Sequence, residues 1–169
     1  MTTERTVETA SRSPPAERFG ARLAGVAVAM PAGTPMEFVA GAAIYPLPLA
    51  PDRVAGLMQL RGQPLVVLDP ASIPHPDGVI RRHDVLVVGQ PPQAAALLVD
   101  APPEPLAEGC WRAARGAPPD CAFASALQAA TVDGLPSGAG AGREQRDDSA
   151  GEGWYEVDPA RLFDALMGR

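Results

Sequence analysis

The chain has no lysine, few aromatic residues and a deficit of positive charge. All 14 basic residues are arginine, 20 residues are acidic, and the formal net charge is −6. Nucleic acid and anionic lipid surfaces both require a basic footprint. Aromatic residues make up only 5% of the chain, so the stacking platforms of single-strand binders are nearly absent. The composition therefore argues against nucleic acid and against an acidic membrane surface as partners.

Long apolar runs are also missing. No segment approaches the roughly 20 apolar residues of a membrane-spanning helix. Residues 2–19 are polar and charged, without the apolar core of a secretory signal peptide. We expect a cytoplasmic protein with no direct membrane insertion, and a disordered tail over residues 1–18, which contain a Ser-Pro-Pro break.

The sequence lacks the common motifs of catalysis, nucleotide binding and metal binding. Neither GxGxxG nor GKS/GKT is present. His75 and His83 belong to no HxxxH or HExxH pattern, and the spacing of Cys110 and Cys121 fits neither a zinc site nor a CxxC redox site. We therefore expect no metal, no cofactor and no catalysis. A thiol enzyme using Cys110, a histidine and Asp100 is a distant alternative, because no motif supplies its base and oxyanion site.

What the chain does contain is a series of short apolar segments separated by turn residues. They predict a mainly β protein with strands at 22–30, 36–39, 44–47, 65–68, 84–88, 94–99 and 154–157. Strands 84–88 and 94–99 flank a Gly-Gln-Pro-Pro turn and predict a hairpin. There is no βαβ rhythm, so a nucleotide-binding Rossmann fold is improbable.

Several other segments predict loops or a helix. Residues 70–77 and 101–121 are proline-rich and are predicted to be loops, and 134–153 is predicted to be a flexible, glycine-rich insert. Residues 122–132 fit either a helix or a strand. Asp158 and Pro159 predict a helix start, and the apolar residues that follow predict a short C-terminal helix packed on the core.

The stretch 44–69, IYPLPLAPDRVAGLMQLRGQPLVVLD, concentrates the unusual features. Pro46, Pro48 and Pro51 fix φ and lack a backbone donor, which excludes a helix. An apolar segment then leads to a tight Arg61-Gly62 corner, where glycine permits a backbone that other residues resist. No nearby residue in the sequence pairs with Arg61, which is unusual for a residue selected for stability alone.

This order of residues resembles the CheW-like coupling proteins of bacterial chemosensory arrays. The matching residues are Ile44-Tyr45-Pro46-Leu47-Pro48, Ala50-Pro51, Val54, Gly56-Leu57, Leu60-Arg61-Gly62 and Val67-x-Asp69. The segment 36–39 upstream, and 96–100 and 154–166 downstream, extend the resemblance to residues 19–168. The YPLP and Gly-Leu residues resemble the branch of the family that serves pilus-type, twitching-motility arrays more than the flagellar branch.

The resemblance implies two intertwined five-stranded SH3-like β-barrels, a hydrophobic groove between them and a short C-terminal helix. It implies a non-catalytic adaptor at membrane-associated receptor arrays, whose partners are the regulatory domain of a CheA-like histidine kinase and the cytoplasmic tip of chemoreceptors. It also implies that Glu37 pairs with Arg61 at the receptor-facing edge. The partner-binding residues expected on this basis are Arg61, Glu37, Gly62, Leu57, Met58 and Leu60.

The sequence departs from the family pattern at three positions. Gln59 replaces the usual asparagine before Leu-Arg-Gly, and Pro70 replaces the leucine after Asp69. The proline that the family has late in the next strand appears here near its start, at Pro64. An altered partner is therefore an open alternative. A β-barrel that binds a small molecule is the second reading that the sequence leaves open.

Overall fold

The structure is a computed structural model that describes residues 17–71, 83–106, 114, 117–128 and 153–168. Within these ranges it contains ten strands, one 3₁₀ helix over Ala124–Ala126 and one α-helix, α1, over Pro159–Leu166. The strands are β1 Arg18–Leu23, β2 Val26–Ala29, β3 Met36–Val39, β4 Val54–Leu60, β5 Gln63–Leu68, β6 Val85–Val88, β7 Ala95–Leu98, β8 Glu104–Leu106, β9 Leu127–Gln128 and β10 Tyr155–Val157.

The strands form two mixed five-stranded sheets. The first sheet has the order β8-β1-β2-β10-β9 and the second has the order β3-β6-β7-β5-β4. Each contains one parallel pair, β2 with β10 and β5 with β7. The chain starts in the first sheet, builds the whole second sheet and returns to complete the first. This mainly β, two-barrel architecture confirms the fold class expected from the sequence.

Two apolar cores stabilise the sheets. The larger core lies between the sheets and includes Phe123, which is completely buried, and residues of α1. The smaller core lies on the other face of the second sheet. Strand β6 contributes to both, because Leu86 and Val88 enter the larger core whereas Val85 and Val87 enter the smaller one. The period of two in a strand explains this division.

The C-terminal helix begins as the sequence predicts. The Asp158 carboxylate accepts hydrogen bonds from the backbone N–H groups of Ala160, at 2.9 Å, and Arg161, at 3.3 Å, and Pro159 occupies the first turn. Leu162 and Leu166 are buried in the larger core. Such a cap is typically worth about 1 kcal/mol, so this short helix depends mainly on its packing.

The predicted strand 22–30 is wrong, because the structure shows a hairpin there. Strands β1 and β2 pair antiparallel around Ala24 and Gly25, whose φ angles are 50° and 80°. Two central residues with positive φ are typical of the tight turn that matches strand twist. The sequence hid this turn because Ala-Gly lacks the usual asparagine or aspartate and the flanking residues are apolar on both sides.

Two further predictions need correction. Residues 44–47 do not form a strand, because only Tyr45 makes a β-bridge, to Leu57. The predicted loop 101–121 contains β8, which pairs with the edge of β1. Residues 122–128 contain the 3₁₀ helix and β9, so this ambiguous segment is partly strand. Parts of three predicted segments lie outside the described residues, namely 72–77 of the proline-rich loop, most of the tail, and the insert up to residue 152.

The remaining strand predictions at 36–39, 65–68 and 154–157, and the hairpin of 84–88 with 94–99, are confirmed within one or two residues. In the part of the chain that the structure describes, no helix is long and apolar enough to cross a membrane.

Candidate functional site

The Arg61-Gly62 corner is a two-residue turn at the tip of the β4–β5 hairpin. Leu60 and Gln63 are the last paired residues, and Arg61 and Gly62 have φ angles of 49° and 83°. A Cβ atom added to Gly62 would meet no heavy atom within 4 Å. Glycine is therefore needed there for the backbone conformation and not for space.

Arg61 forms an ion pair with Glu37 across the second sheet. Its Nη2 atom lies 2.9 Å from Oε2 of Glu37, and the side chains are 79% and 35% exposed, respectively. Glu37 lies on β3 and Arg61 follows β4, which are the two edge strands of this sheet. The sheet must curl for its edges to meet, so the pair marks the point where this barrel closes. An exposed pair contributes only ~0–1 kcal/mol, so its main consequence is the orientation of Arg61.

The YPLP segment lies against β4 at a glycine. The N–H of Tyr45 donates to the carbonyl of Leu57 at 2.8 Å, and the N–H of Leu57 donates to the carbonyl of Tyr45 at 2.9 Å. A Cβ atom on Gly56 would lie 2.3 Å from the Tyr45 carbonyl oxygen. This close approach explains why the motif has a glycine directly before Leu57.

An exposed apolar strip runs across this part of the barrel. Tyr45 is paired with Leu57 and Leu57 with Val66, so the three side chains lie on one face in a row. Tyr45 is 65% and Val66 is 38% exposed. We use the name apolar strip for this row of Tyr45, Leu57 and Val66 together with Leu47 and Leu49, which are exposed on the segment that follows Tyr45. It holds four of the five large apolar side chains that are exposed among the described residues, the fifth being Met167.

The apolar strip includes only one of the predicted apolar site residues. Met58 is 3% exposed and Leu60 packs against the same smaller core, on the face of β4 opposite to Leu57. The expectation that Met58 lines a surface groove is therefore wrong, because neighbouring residues of a strand point to opposite faces. Sequence reasoning missed Tyr45, Leu47, Leu49 and Val66 as exposed side chains. The signal that could have found the first three is an apolar segment whose prolines prevent regular strand pairing.

Two acidic residues near strand ends, Asp69 and Asp100, accept hydrogen bonds from backbone N–H groups. Asp69 is buried, and its Oδ1 atom accepts from the backbone N–H of Ala71 at 2.9 Å. Oδ2 of Asp100 accepts from the N–H of Gly25 at 2.7 Å and so supports the β1–β2 turn.

The structure describes one histidine, His83, and one cysteine, Cys121. Nδ1 of His83 lies 3.3 Å from the carbonyl oxygen of Ala42. Burial raises the pKa of the Cys121 thiol above its ordinary value, which opposes formation of a nucleophilic thiolate. Among the described residues, no three His, Cys, Asp or Glu side chains are grouped so that they could hold a metal ion. His75 and Cys110 lie outside those residues.

A cavity of about 340 Å³ lies at one end of the first sheet, away from the corner. Its lining includes Arg18 and Glu156, which form an ion pair with each other, and Asp158, which caps α1. The charged groups around this cavity thus already have structural partners.

Comparison with known proteins identifies the family. The sequence model of the CheW-like domain matches residues 19–106, which is just over half of the chain. The chain belongs to the CheW-like domain family. The match extends from β1 to β8, and so contains the Arg61–Glu37 pair and the apolar strip of this CheW-like protein. Strands β9 and β10 and helix α1 lie beyond it.

A similar solved structure is that of the scaffolding protein TtCheW from Thermoanaerobacter tengcongensis. It is 22% identical to this chain, with a TM-score of 0.45, and the match covers 67% of this chain and 73% of that protein. Among curated proteins, none matches the sequence significantly.

Proposed function

We propose that this CheW-like protein is a non-catalytic adaptor that couples the cytoplasmic tip of chemoreceptors to the regulatory domain of a CheA-like histidine kinase. Membership of the family supports the general role. The observation that carries the proposal for a specific site is the exposed Arg61 side chain, which Glu37 holds in one orientation at the closure of the second barrel. Gly62 provides the backbone conformation, and Leu57 and Leu60 flank the same hairpin.

The corner is better suited to recognition than to stability. Arg61 adopts a positive φ, which is unfavourable for a residue with a side chain. Its exposed ion pair contributes little to the free energy of folding. A guanidinium has five N–H donors, and the Arg61 side chain, which contacts Glu37 through Nη2, is 79% exposed. A fixed, largely exposed positive charge on an acidic protein can select a partner by electrostatic complementarity.

The two alternatives from the sequence gain less support. The second barrel packs its own side chains inside, since Val67, Ala96 and Leu98 are fully buried there, and this core gives the small-molecule alternative no support. The thiol enzyme would use Cys110, which lies outside the described residues, and its Asp100 already accepts a hydrogen bond from the N–H of Gly25. Burial raises the pKa of the other cysteine, Cys121. We also propose that the protein acts in the cytoplasm at receptor arrays. The YPLP and Gly-Leu residues of its motif favour the pilus-type branch of the family.

Charge exchange at the corner tests the proposal. We expect Arg61→Glu to weaken binding to the receptor-tip fragment or to the kinase regulatory domain at least about tenfold, or ~1.4 kcal/mol, with an unchanged melting temperature. The double variant Glu37→Arg with Arg61→Glu can form the ion pair again but displaces the positive charge. Isothermal titration with each purified partner should show that it remains defective.

The matched control is Arg161→Glu. Arg161 is another exposed arginine with an acidic neighbour, since its Nε atom lies 3.9 Å from Oδ2 of Asp158. This change should leave both affinities unaltered. Full binding by Arg61→Glu would show that the corner does not contact a partner. Full recovery by the double variant would show that the ion pair only maintains the fold.

A further inference from the structure

Residues 153–167 form a strap that completes the first sheet and then packs on the larger core. The strap contains β10 and α1. Strand β10 pairs in parallel with β2 at residues 155 and 156, and antiparallel with β9 at residues 156 and 157. A strand that is paired over two residues on each side has few backbone bonds to hold it, and a helix of eight residues is not stable by itself. The strap therefore depends on its side-chain contacts.

Trp154 lies over a position of β1 where only glycine fits. A Cβ atom at Gly20 would overlap carbon atoms of the Trp154 indole ring. Gly20 has no positive φ, and it pairs with Ala29 of β2 and Glu104 of β8, so its backbone is that of an ordinary strand residue. A glycine inside a strand often marks the close approach of another group. Here that group is the indole ring.

Further contacts fix the ring and the start of the strap. The guanidinium carbon of Arg22 lies 5.8 Å from the centroid of the Trp154 ring, within the range of a cation–π interaction. The carbonyl of Trp154 accepts a hydrogen bond from the N–H of Ala114 at 2.8 Å. A Cβ atom at Gly153 would overlap the backbone of Ala114. Two glycines thus allow the strap to approach the rest of the first sheet closely.

Strand β10 and helix α1 are coupled through a single residue. Strand β10 ends at Val157 and α1 begins at Pro159, with Asp158 between them. The N–H of Asp158 donates to the carbonyl of Ala126 at 3.2 Å, and its carboxylate caps α1. Because no loop separates the two elements, displacement of β10 also displaces α1 from the larger core.

We propose that Trp154 in the Gly20 gap locks the strap, and that β10 and α1 open together as one unit while the second sheet stays folded. Proteins open locally in cooperative units, and elements with few backbone bonds open at low free energy. Opening removes Leu162 and Leu166 from the larger core and leaves β9 without its strand partner. This device belongs to the first sheet and does not rest on the proposed adaptor function.

Gly20→Ala tests the lock, because it adds one methyl group at the position of the ring and leaves a backbone that alanine readily adopts. Amide hydrogen exchange of the full-length chain is the measurement. We expect the protection of β10 and α1 to fall together, at least about tenfold, and that of β6 and β7 to stay unchanged. In a Trp111→Phe background, where Trp154 is the only tryptophan, its fluorescence should move to longer wavelength.

Gly33→Ala is the matched control, since a Cβ atom there meets no heavy atom within 4 Å. It should not reduce the protection of the strap relative to that of the second sheet. In a Trp154→Leu variant, which removes the ring, the strap should already be less protected and Gly20→Ala should add little.

Four results would overturn the proposal. They are unchanged strap protection in Gly20→Ala, a loss spread equally over both sheets, an equally large effect of Gly20→Ala without the Trp154 ring, and exchange of β10 separately from α1.

Discussion

Gly56 and Gly62 occupy the same hairpin region and both have positive φ, but their environments differ. The φ angles are 153° and 83°. A side chain on Gly56 would collide with the Tyr45 backbone, whereas a side chain on Gly62 would enter open space. One glycine thus permits contact between two backbone segments, and the other permits only a turn.

This difference predicts two different costs for alanine. Gly62→Ala should lower the free energy of unfolding by about 1 kcal/mol, because only the backbone conformation is unfavourable. Gly56→Ala should cost clearly more, since it adds a steric clash that displaces residues 45 and 46 from β4. Urea unfolding followed by circular dichroism measures both values. Equal losses would show that the contact between Tyr45 and β4 contributes nothing to stability.

At the residue scale, the sequence predicted the corner but not its geometry. Glycine after Arg61 indicated a turn from local chemistry, and the structure confirms it. The pairing of Glu37 with Arg61 joins opposite edges of a sheet. No local pattern encodes such a contact, so it was predicted only through the family resemblance.

Strand β4 shows how alternation decides which side chains reach a partner. Leu57 faces the apolar strip, whereas Met58 faces the smaller core. The sequence VAGLMQL is apolar at both positions, so periodicity alone did not assign their faces. The assignment follows from pairing with β5, whose Leu65 and Val67 enter the same core as Met58.

Alanine substitutions should separate these two faces. Met58→Ala should destabilise the protein by about 2–5 kcal/mol, because it removes buried atoms and leaves a cavity. Leu57→Ala should cost less than half as much, since Leu57 is only partly buried. Denaturant titration gives both numbers. A larger loss for Leu57 than for Met58 would mean that the register of β4 is shifted by one residue.

At the element scale, turn chemistry limited what the sequence could predict. The β6–β7 hairpin has a proline-rich turn that the sequence shows, whereas the Ala24-Gly25 turn has no such signal and the sequence there predicts a continuous strand. Strand β8 was missed because Pro105 lies at its centre. The structure accommodates this proline because β8 is an edge strand, where not every N–H group has to pair.

The path of the chain links the two sheets. Strand β10 pairs in parallel with β2, so that Tyr155 lies beside Val28, and α1 packs on the core between the sheets. The first sheet is incomplete without both ends of the described chain. Such distant pairing follows from tertiary packing, and the sequence alone indicated it only through resemblance to a known family.

The corner and the apolar strip lie on the same barrel but differ in chemistry. One presents a fixed positive charge and the other an uncharged apolar surface. An interaction through the corner should weaken as salt screens the charge, whereas one through the strip should be much less sensitive. This contrast allows the two surfaces to be assigned to their partners.

The central claim is that the protein bridges a receptor and a kinase, and sedimentation velocity tests it most directly. A receptor-tip fragment and a CheA-like regulatory domain are mixed with and without the chain, and with Arg61→Glu. The account predicts a three-component complex only with the parent chain, and its loss with Arg61→Glu. A parent chain that binds neither component, or that binds one and excludes the other, would contradict the claim.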